Sequence, residues 1–336
     1  MGIAGRSLLS ARHPDLDLRN DMDYVLLLPG QGSQKVGMGK DLADAFPAAR
    51  DVFHAVDDAV GSSISTLAFD GPPDDLTRTL NAQPALLAHS AAVWAVVGSV
   101  IGPFVRAAAG HSLGEFSAYH VAGAIDVAAA ARIVRRRGTL MYEHGLARPG
   151  AMAAILGVLT ASIDDICQQA SVERGLVVPA NYNSDEQVVI SGEVAGVDRA
   201  MELAKEAGAK RCLPLPVSGA FHSPLMEPAV AGLRDALQAE AWSDPHVPVV
   251  ANVNAEPVTA AGVARELLVQ QLTAPVQWNR LSRLLVQQYP EATFVEIGSG
   301  AVLTGLLRRL APSVKTLSCG TVAEVEKLLV LAGESV

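Results

Sequence analysis

Gly110-His111-Ser112-Leu113-Gly114 puts a hydroxyl where it could serve as a nucleophile. The mostly apolar run Val105 to Ala109 precedes it, and a helical pattern, Glu115-Phe116-Ser117-Ala118-Tyr119, follows. Strand, tight glycine turn and helix, in that order, make a nucleophile elbow. Such a turn lifts the Ser112 oxygen to the positive end of a helix, which favours an attacking alkoxide and a developing oxyanion. A serine hydroxyl also needs a base. Among eight histidines, His222 is the best placed, because Gly219 and Pro224 bracket it in a short loop. His111 is the rival, but neighbours on a tight turn point apart, so it is expected to support the elbow. His13, His54, His89, His120, His144 and His246 read as surface or structural residues.

A third group stands out on a helical wheel drawn over Ala131 to Met141. With Arg132 at zero and about 100° per residue, Ile133, Val134, Leu140 and Met141 define an apolar face. Arg137 falls near about 140°, in its middle, whereas Arg132, Arg135 and Arg136 fall outside. An inward arginine needs an anion. One reading is a structural ion pair with Asp or Glu. The other is a bidentate clamp for a substrate carboxylate.

Leu28-Pro29-Gly30-Gln31-Gly32-Ser33-Gln34, the elbow, Asn81-Ala82-Gln83-Pro84-Ala85-Leu86-Leu87, Asn181-Tyr182-Asn183-Ser184 and Glu296-Ile297-Gly298-Ser299-Gly300 occur in this order. From Tyr24 to the C-terminus the chain thereby resembles the malonyl-CoA:acyl-carrier-protein transacylases. That family includes stand-alone enzymes of fatty-acid synthesis and acyltransferase components of polyketide synthases. The resemblance implies a malonyl group carried from malonyl-CoA, through Ser112, to the phosphopantetheine thiol of an acyl carrier protein. It implies Arg137 on the malonyl carboxylate and the Gln31 and Leu113 backbone N–H groups as the oxyanion hole. It also implies Gln271 as the group that orients His222, although a surface glutamine at a helix end is the plain alternative. Gln83 and Asn183 match polar positions near the site, or simply fix loops. No resident cofactor and no metal are expected.

Gly219-Ala220-Phe221-His222 is similar to the discrete, trans-acting acyltransferases of polyketide assembly lines. Phe221 precedes the histidine, where a bulky ring crowds the space that an α-methyl group needs and so favours malonyl. One methyl is worth about 1–3 kcal/mol in such a pocket. The motif's usual first residue is histidine, and here it is Gly219. Three other activities stay open on the residues alone: an acyl hydrolase or thioesterase, a transferase of another acyl group between carriers, and a non-catalytic docking protein.

The elements that must hold these residues read as an α/β fold. A large α/β-hydrolase-like domain with a parallel sheet is expected over 23–149 and 218–336. A smaller ferredoxin-like domain is inserted at 150–217, read as strand-helix-strand-strand-helix-strand. Residues 1–22 lack a signal-peptide core and read as a flexible leader. Ser112 and His222 should then face each other across the cleft between the modules. The composition is half hydrophobic with 4% aromatics and a net charge of −9. That charge argues against nucleic acid, and no uninterrupted apolar run of membrane-spanning length is apparent. A cytoplasmic enzyme is expected, its Cys167, Cys212 and Cys319 reduced and free of metal spacing. An acidic enzyme that meets an acidic carrier needs a local basic patch. Arg148, Lys210 with Arg211, and Arg308-Arg309 are the candidates.

Overall fold

The structure, a computed structural model, describes residues 22–217 and 219–334. Residues 1–21 of the expected leader lie outside them. The larger of two sheets is formed by β1 (Tyr24–Leu28), β2 (Val105–Gly110), β7 (Val249–Val250), β8 (Pro257–Val258), β9 (Thr293–Ile297) and β10 (Lys315–Cys319). Its order is β10-β9-β1-β2-β7-β8, and all neighbours are parallel except β7 and β8. Every residue of β1 is buried, as a parallel strand covered on both faces requires. Tyr24, Leu26 and Leu28 join one core cluster and Val25 and Leu27 a second, on the opposite face.

The second sheet takes β3 (Ala151–Leu156), β4 (Val177–Ser184), β5 (Gln187–Gly192) and β6 (Arg211–Pro214) in the antiparallel order β4-β5-β3-β6. Helices Ile163–Arg174 and Val194–Glu206 pack on one face of it around Ile155, Cys167, Ile190 and Ala200. Met152, Ala154, Ala180 and Val189 point the other way, into the main core. Tyr182 N–H donates to Val276 O (2.9 Å) and Val276 N–H to Ala180 O (2.8 Å), tying β4 to the larger unit beside the site. A parallel-containing sheet with a separate antiparallel one is the α/β class expected from the sequence.

Two crossing helices set the position of Arg137. The central helix Thr79–Ile101 carries Pro84 in its interior, so Leu80 O loses its usual helical donor. The guanidinium of Arg135 supplies one instead, at 2.8 Å. Helix Val127–Ala147 crosses at this point with Gly138 against the central backbone. A Cβ there would lie 2.8 Å from Leu80 Cα and Thr79 O. The close crossing brings Arg137 alongside Gln83.

The segment Thr79–Phe104 is long and apolar enough to cross a membrane by length and composition. Gln83, His89 and Ser90 interrupt its apolar character in the sequence, and all three are buried where the helix runs through the main core. Pro248-Val249-Val250-Ala251-Asn252 reads as one strand in the sequence, but the ladder holds only Val249–Val250, and Asn252 lies beyond it, free for another task.

Candidate active site

Ser112 sits at φ 52°, in the left-handed region that L-residues avoid. What holds it there is packing and one side chain. A Cβ on Gly110 would lie 1.9 Å from Gly114 C, and one on Gly114 would lie 2.0 Å from Leu28 O. Only glycine fits at either end of the turn. Asn252, fully buried and two residues past β7, closes the elbow: its Oδ1 accepts from Ser112 N–H (2.7 Å) and its Nδ2 donates to Gly110 O (2.7 Å). Asn252→Ala strands both buried main-chain groups. It is expected to cost about 2–5 kcal/mol, read as a lower urea midpoint at unchanged slope. A midpoint shift equivalent to under about 0.5 kcal/mol, the level of an ordinary surface change, would show that the elbow holds itself.

His222 also adopts a positive φ, 56°. Its Nε2 lies 2.7 Å from Ser112 Oγ and its Nδ1 2.8 Å from the main-chain oxygen of Gln271. A carbonyl can only accept, so the ring proton belongs on Nδ1 and the Nε2 lone pair faces the serine. Burial, with the Arg137 charge adding to it, lowers the His222 pKa to about 3 and keeps the ring neutral. The orienting group is therefore the Gln271 backbone rather than its side chain. The Gln271 amide is used elsewhere: Nε2 donates to Glu115 Oε2 (2.7 Å) and Ser112 O (3.0 Å), and Oε1 accepts from Arg137 (2.9 Å).

Arg137 is 1% exposed. Its guanidinium donates to Gln83 Oε1 (2.8 Å), Gln271 Oε1 (2.9 Å) and Ser112 Oγ (3.1 Å), and lies 5.4 Å from the Phe116 ring centre. Its Nε has no partner. Among the described residues no carboxylate pairs with it directly. Burial brings its pKa down to about 10, opposed by Glu115, so it stays charged at neutral pH. Burial pushes Glu115 up to about 7, against its bonds from Gln271 and Asn252 and the Arg137 charge.

His111 turns away from the serine, to Asn183 Oδ1 (2.8 Å) and a tilted contact with Trp278 (5.4 Å). Gln83 reaches Gln31 through Thr79: Gln83 Nε2 donates to Thr79 Oγ1 (3.0 Å), which donates to Gln31 Oε1 (2.8 Å). The Gln31 and Leu113 N–H groups donate to no backbone group among the described residues. Both residues line a cavity of about 230 Å³ together with Ser112, Arg137, Phe221 and His222. All ten expected site residues thus gather around this cavity or brace its walls. Asn252 and Glu115 were missed as contributors. Glu115 was visible at the end of the elbow motif, three residues past the serine.

The basic candidates separate. Arg148 is held by Glu193 at 2.7 Å, and Arg308 Nε donates to Thr316 (2.7 Å). Lys210, Arg211 and Arg309 converge on a second cavity of about 480 Å³, which Asp185, itself paired with Arg283, and Glu186 also line. Cys167 and Cys319 are buried free thiols pushed up to about 12 by desolvation, and Cys212 is half-buried.

One pH effect follows from these shifts. The unfolded chain binds a proton on His222 between about pH 6.5 and 3 that the folded chain refuses, so stability falls as pH drops through that window. His89 and His111 are lowered by burial in the same direction. Glu115 has the opposite sign: its raised value contributes stability below the usual carboxylate range that is lost as pH rises through about 7. The thermal midpoint at pH 5 is expected to lie below that at pH 6.5. A higher midpoint at pH 5 would mean that the histidines are not held neutral.

A serine at a glycine elbow, a neutral histidine on its oxygen and a buried cation beside both, in this α/β fold, make a site equipped to form an acyl-serine. The acyl transferase domain family matches residues 25–327. The chain is 44% identical over 303 residues to the malonyl CoA-acyl carrier protein transacylase of Bacillus subtilis, covering 90% of this chain and 95% of that one. The crystal structure of the acyl-carrier-protein-S-malonyltransferase of Bartonella henselae superposes with a TM-score of 0.88 at 43% identity, covering 93% and 100%. A type II polyketide synthase acyl-carrier protein in complex with its malonyl-transacylase matches with a TM-score of 0.86 at 39% identity, covering 93% and 100%. The chain belongs to the malonyl CoA-acyl carrier protein transacylase family.

Proposed function

We propose that this enzyme moves a malonyl group from malonyl-CoA to the phosphopantetheine thiol of an acyl carrier protein by way of a malonyl ester on Ser112. The observation that carries the reading is the buried Arg137 guanidinium 3.1 Å from Ser112 Oγ. A fixed positive charge at that distance selects an acyl group with a second, anionic end. In the first half-reaction His222 Nε2 takes the Ser112 proton as Oγ bonds to the thioester carbon. The Gln31 and Leu113 N–H groups receive the oxyanion. The C–S bond then breaks, and the coenzyme A sulfur leaves with the proton from His222. In the second half-reaction the carrier thiol gives its proton to His222, attacks the ester and frees Ser112 Oγ, which recovers that proton.

Gln83 and Gln271 hold Arg137 until the carboxylate arrives, and Phe221 fills the space beside the α-carbon. Lys210, Arg211 and Arg309 give an acidic carrier, or the phosphates of coenzyme A, a cationic surface on a protein of net charge −9. The reading needs no resident cofactor and places the enzyme in the cytoplasm, serving fatty-acid or polyketide assembly. The Gly-Ala-Phe-His motif at 219–222 supports the polyketide side.

The test is intact-protein mass after brief mixing with malonyl-CoA. A malonyl adduct on the wild type, absent from Ser112→Ala and discharged by a holo carrier protein, is the expected result. Coenzyme A release without an adduct or a carrier product would make the protein a hydrolase.

A further inference from the structure

The Glu115 carboxyl group bonds to neither nucleophile, base nor clamp, yet it meets the one side chain whose residue touches all three. Gln271 receives His222 Nδ1 on its main-chain oxygen, Arg137 on its side-chain oxygen, and donates from Nε2 to Ser112 O. The same Nε2 donates to Glu115 Oε2. A carboxyl oxygen there accepts and a guanidinium only donates, so the two fix the amide: nitrogen toward Glu115, oxygen toward Arg137. Positive and negative groups are thus joined across an amide instead of in direct contact.

Resting on the malonyl reading above, we propose that Glu115 is a positioning residue that counterbalances Arg137 through Gln271, and that it takes up a proton when an acyl carboxylate replaces it as the partner of that arginine. Two carboxylates cannot both keep their charge around one buried guanidinium at little cost. The acyl carboxylate makes the direct bonds, so Glu115 is the one that yields. Its Oε1 is buried with no partner and can carry the proton. Oε2 stays an acceptor for Gln271 and for Asn252 N–H (3.1 Å), and the amide need not turn. The proton comes from solvent, and no covalent bond other than the new Oε1–H is made or broken.

The groups around Glu115 leave it the one that titrates near neutrality. Helix Val127–Ala147 turns Arg137 toward it, and Arg137 stays charged. Tyr119, one turn along its own helix, is raised well above the ordinary tyrosine range by burial and by Glu115 itself. His222 and His111, across the elbow, are lowered by burial. The central helix offers His89, also lowered by burial. β1 contributes Tyr24, raised by burial, β2 the exposed Arg106 in its pair with Asp23, and β7 no titratable group. Glu115 itself stands at about 7 in the free enzyme.

The sign is then fixed. Carboxylate binding raises Glu115 further, so affinity for a carboxyacyl donor is full at low pH and falls as pH rises through about 7. Each unit by which the bound carboxylate raises Glu115 weakens binding tenfold over that window. The KM for malonyl-CoA in the wild type is expected to rise roughly tenfold between pH 6 and 9, for a shift of one unit. Glu115→Gln keeps an acceptor for Gln271 and Asn252 but cannot titrate, and its KM should stay flat. Acetyl-CoA, which has no acyl carboxylate, should give a flat profile with both proteins.

A separate measurement does not depend on that variant folding. Calorimetric titration of Ser112→Ala with malonyl-CoA at pH 7.5, in two buffers of different ionisation enthalpy, should show net proton uptake that acetyl-CoA does not produce. Parallel KM profiles in wild type and Glu115→Gln, or equal proton uptake with both thioesters, would overturn the proposal while leaving malonyl transfer intact. Failure of the wild type to load malonyl at all would overturn both.

Discussion

Replacing His222 by alanine is expected to slow acylation of Ser112 by about 10⁴-fold or more, the loss seen when a serine nucleophile is stripped of its base. The structure gives this residue no substitute. Its Nε2 is 2.7 Å from Ser112 Oγ, and its neutral state is enforced by burial and by the neighbouring Arg137 charge. The other nearby imidazole, His111, has its Nε2 committed to Asn183. Arg137 also reaches the serine oxygen, but a guanidinium donates and cannot take the proton. Stopped-flow release of coenzyme A from malonyl-CoA reads the step directly, before any carrier enters. His111→Ala serves as the comparison and should lose far less. If His222→Ala stays within tenfold of the wild type, the base lies elsewhere and the assigned hydrogen bond is not the catalytic one.

How this site could be read in the sequence depends on which atoms do the work. Ser112 and its glycines were legible because steric exclusion at Gly110 and Gly114 forces the residue type. Arg137 was legible because a charge on an apolar helix face contradicts the helix around it. The wheel left a structural ion pair open, and the fold closes that alternative by giving the guanidinium amide partners and no carboxylate in direct contact. The resemblance implies Gln271 as the group that orients His222, and the contact is made by its main-chain oxygen. A backbone carbonyl belongs to every residue type, so nothing in the sequence can mark it as the acceptor of a histidine proton. What the glutamine side chain contributes is the bridge from Arg137 to Glu115.

Asn252 was hidden for a related reason. It reads as the end of a strand, and its value lies in reaching Ser112 N–H and Gly110 O, 140 and 142 positions away along the chain. The central helix shows the opposite failure. Its composition passes for a membrane span, while its Gln83, His89 and Ser90 are buried within the fold. Pro84 reads as a fault within it, and Arg135 supplies the donor that Leu80 O lacks. Three-dimensional compensation of this sort leaves no local pattern.

Arg137→Ala is expected to invert the acyl preference rather than simply weaken the enzyme. Truncating one partner of a buried, hydrogen-bonded charge pair costs about 2–5 kcal/mol. The kcat/KM for malonyl-CoA should therefore fall by roughly thirtyfold to several-thousandfold. Acetyl-CoA has no carboxylate to lose, and the shortened side chain removes a buried cation that an apolar methyl group must otherwise face. Acetyl transfer should hold or rise, so the malonyl-to-acetyl ratio carries the whole effect. Arg137→Lys discriminates further. It keeps a charge but cannot span Gln83 and Gln271 with one planar fork, so it should recover part of the malonyl activity and little of the selectivity. Competition between the two thioesters, read by intact mass on Ser112, measures the ratio in one tube. Equal losses for both donors would mean that Arg137 holds the serine and the amides in place and does not read the acyl group. The free Nε and the two amide-bound nitrogens argue for the selective outcome, because neutral partners are ones a carboxylate can displace.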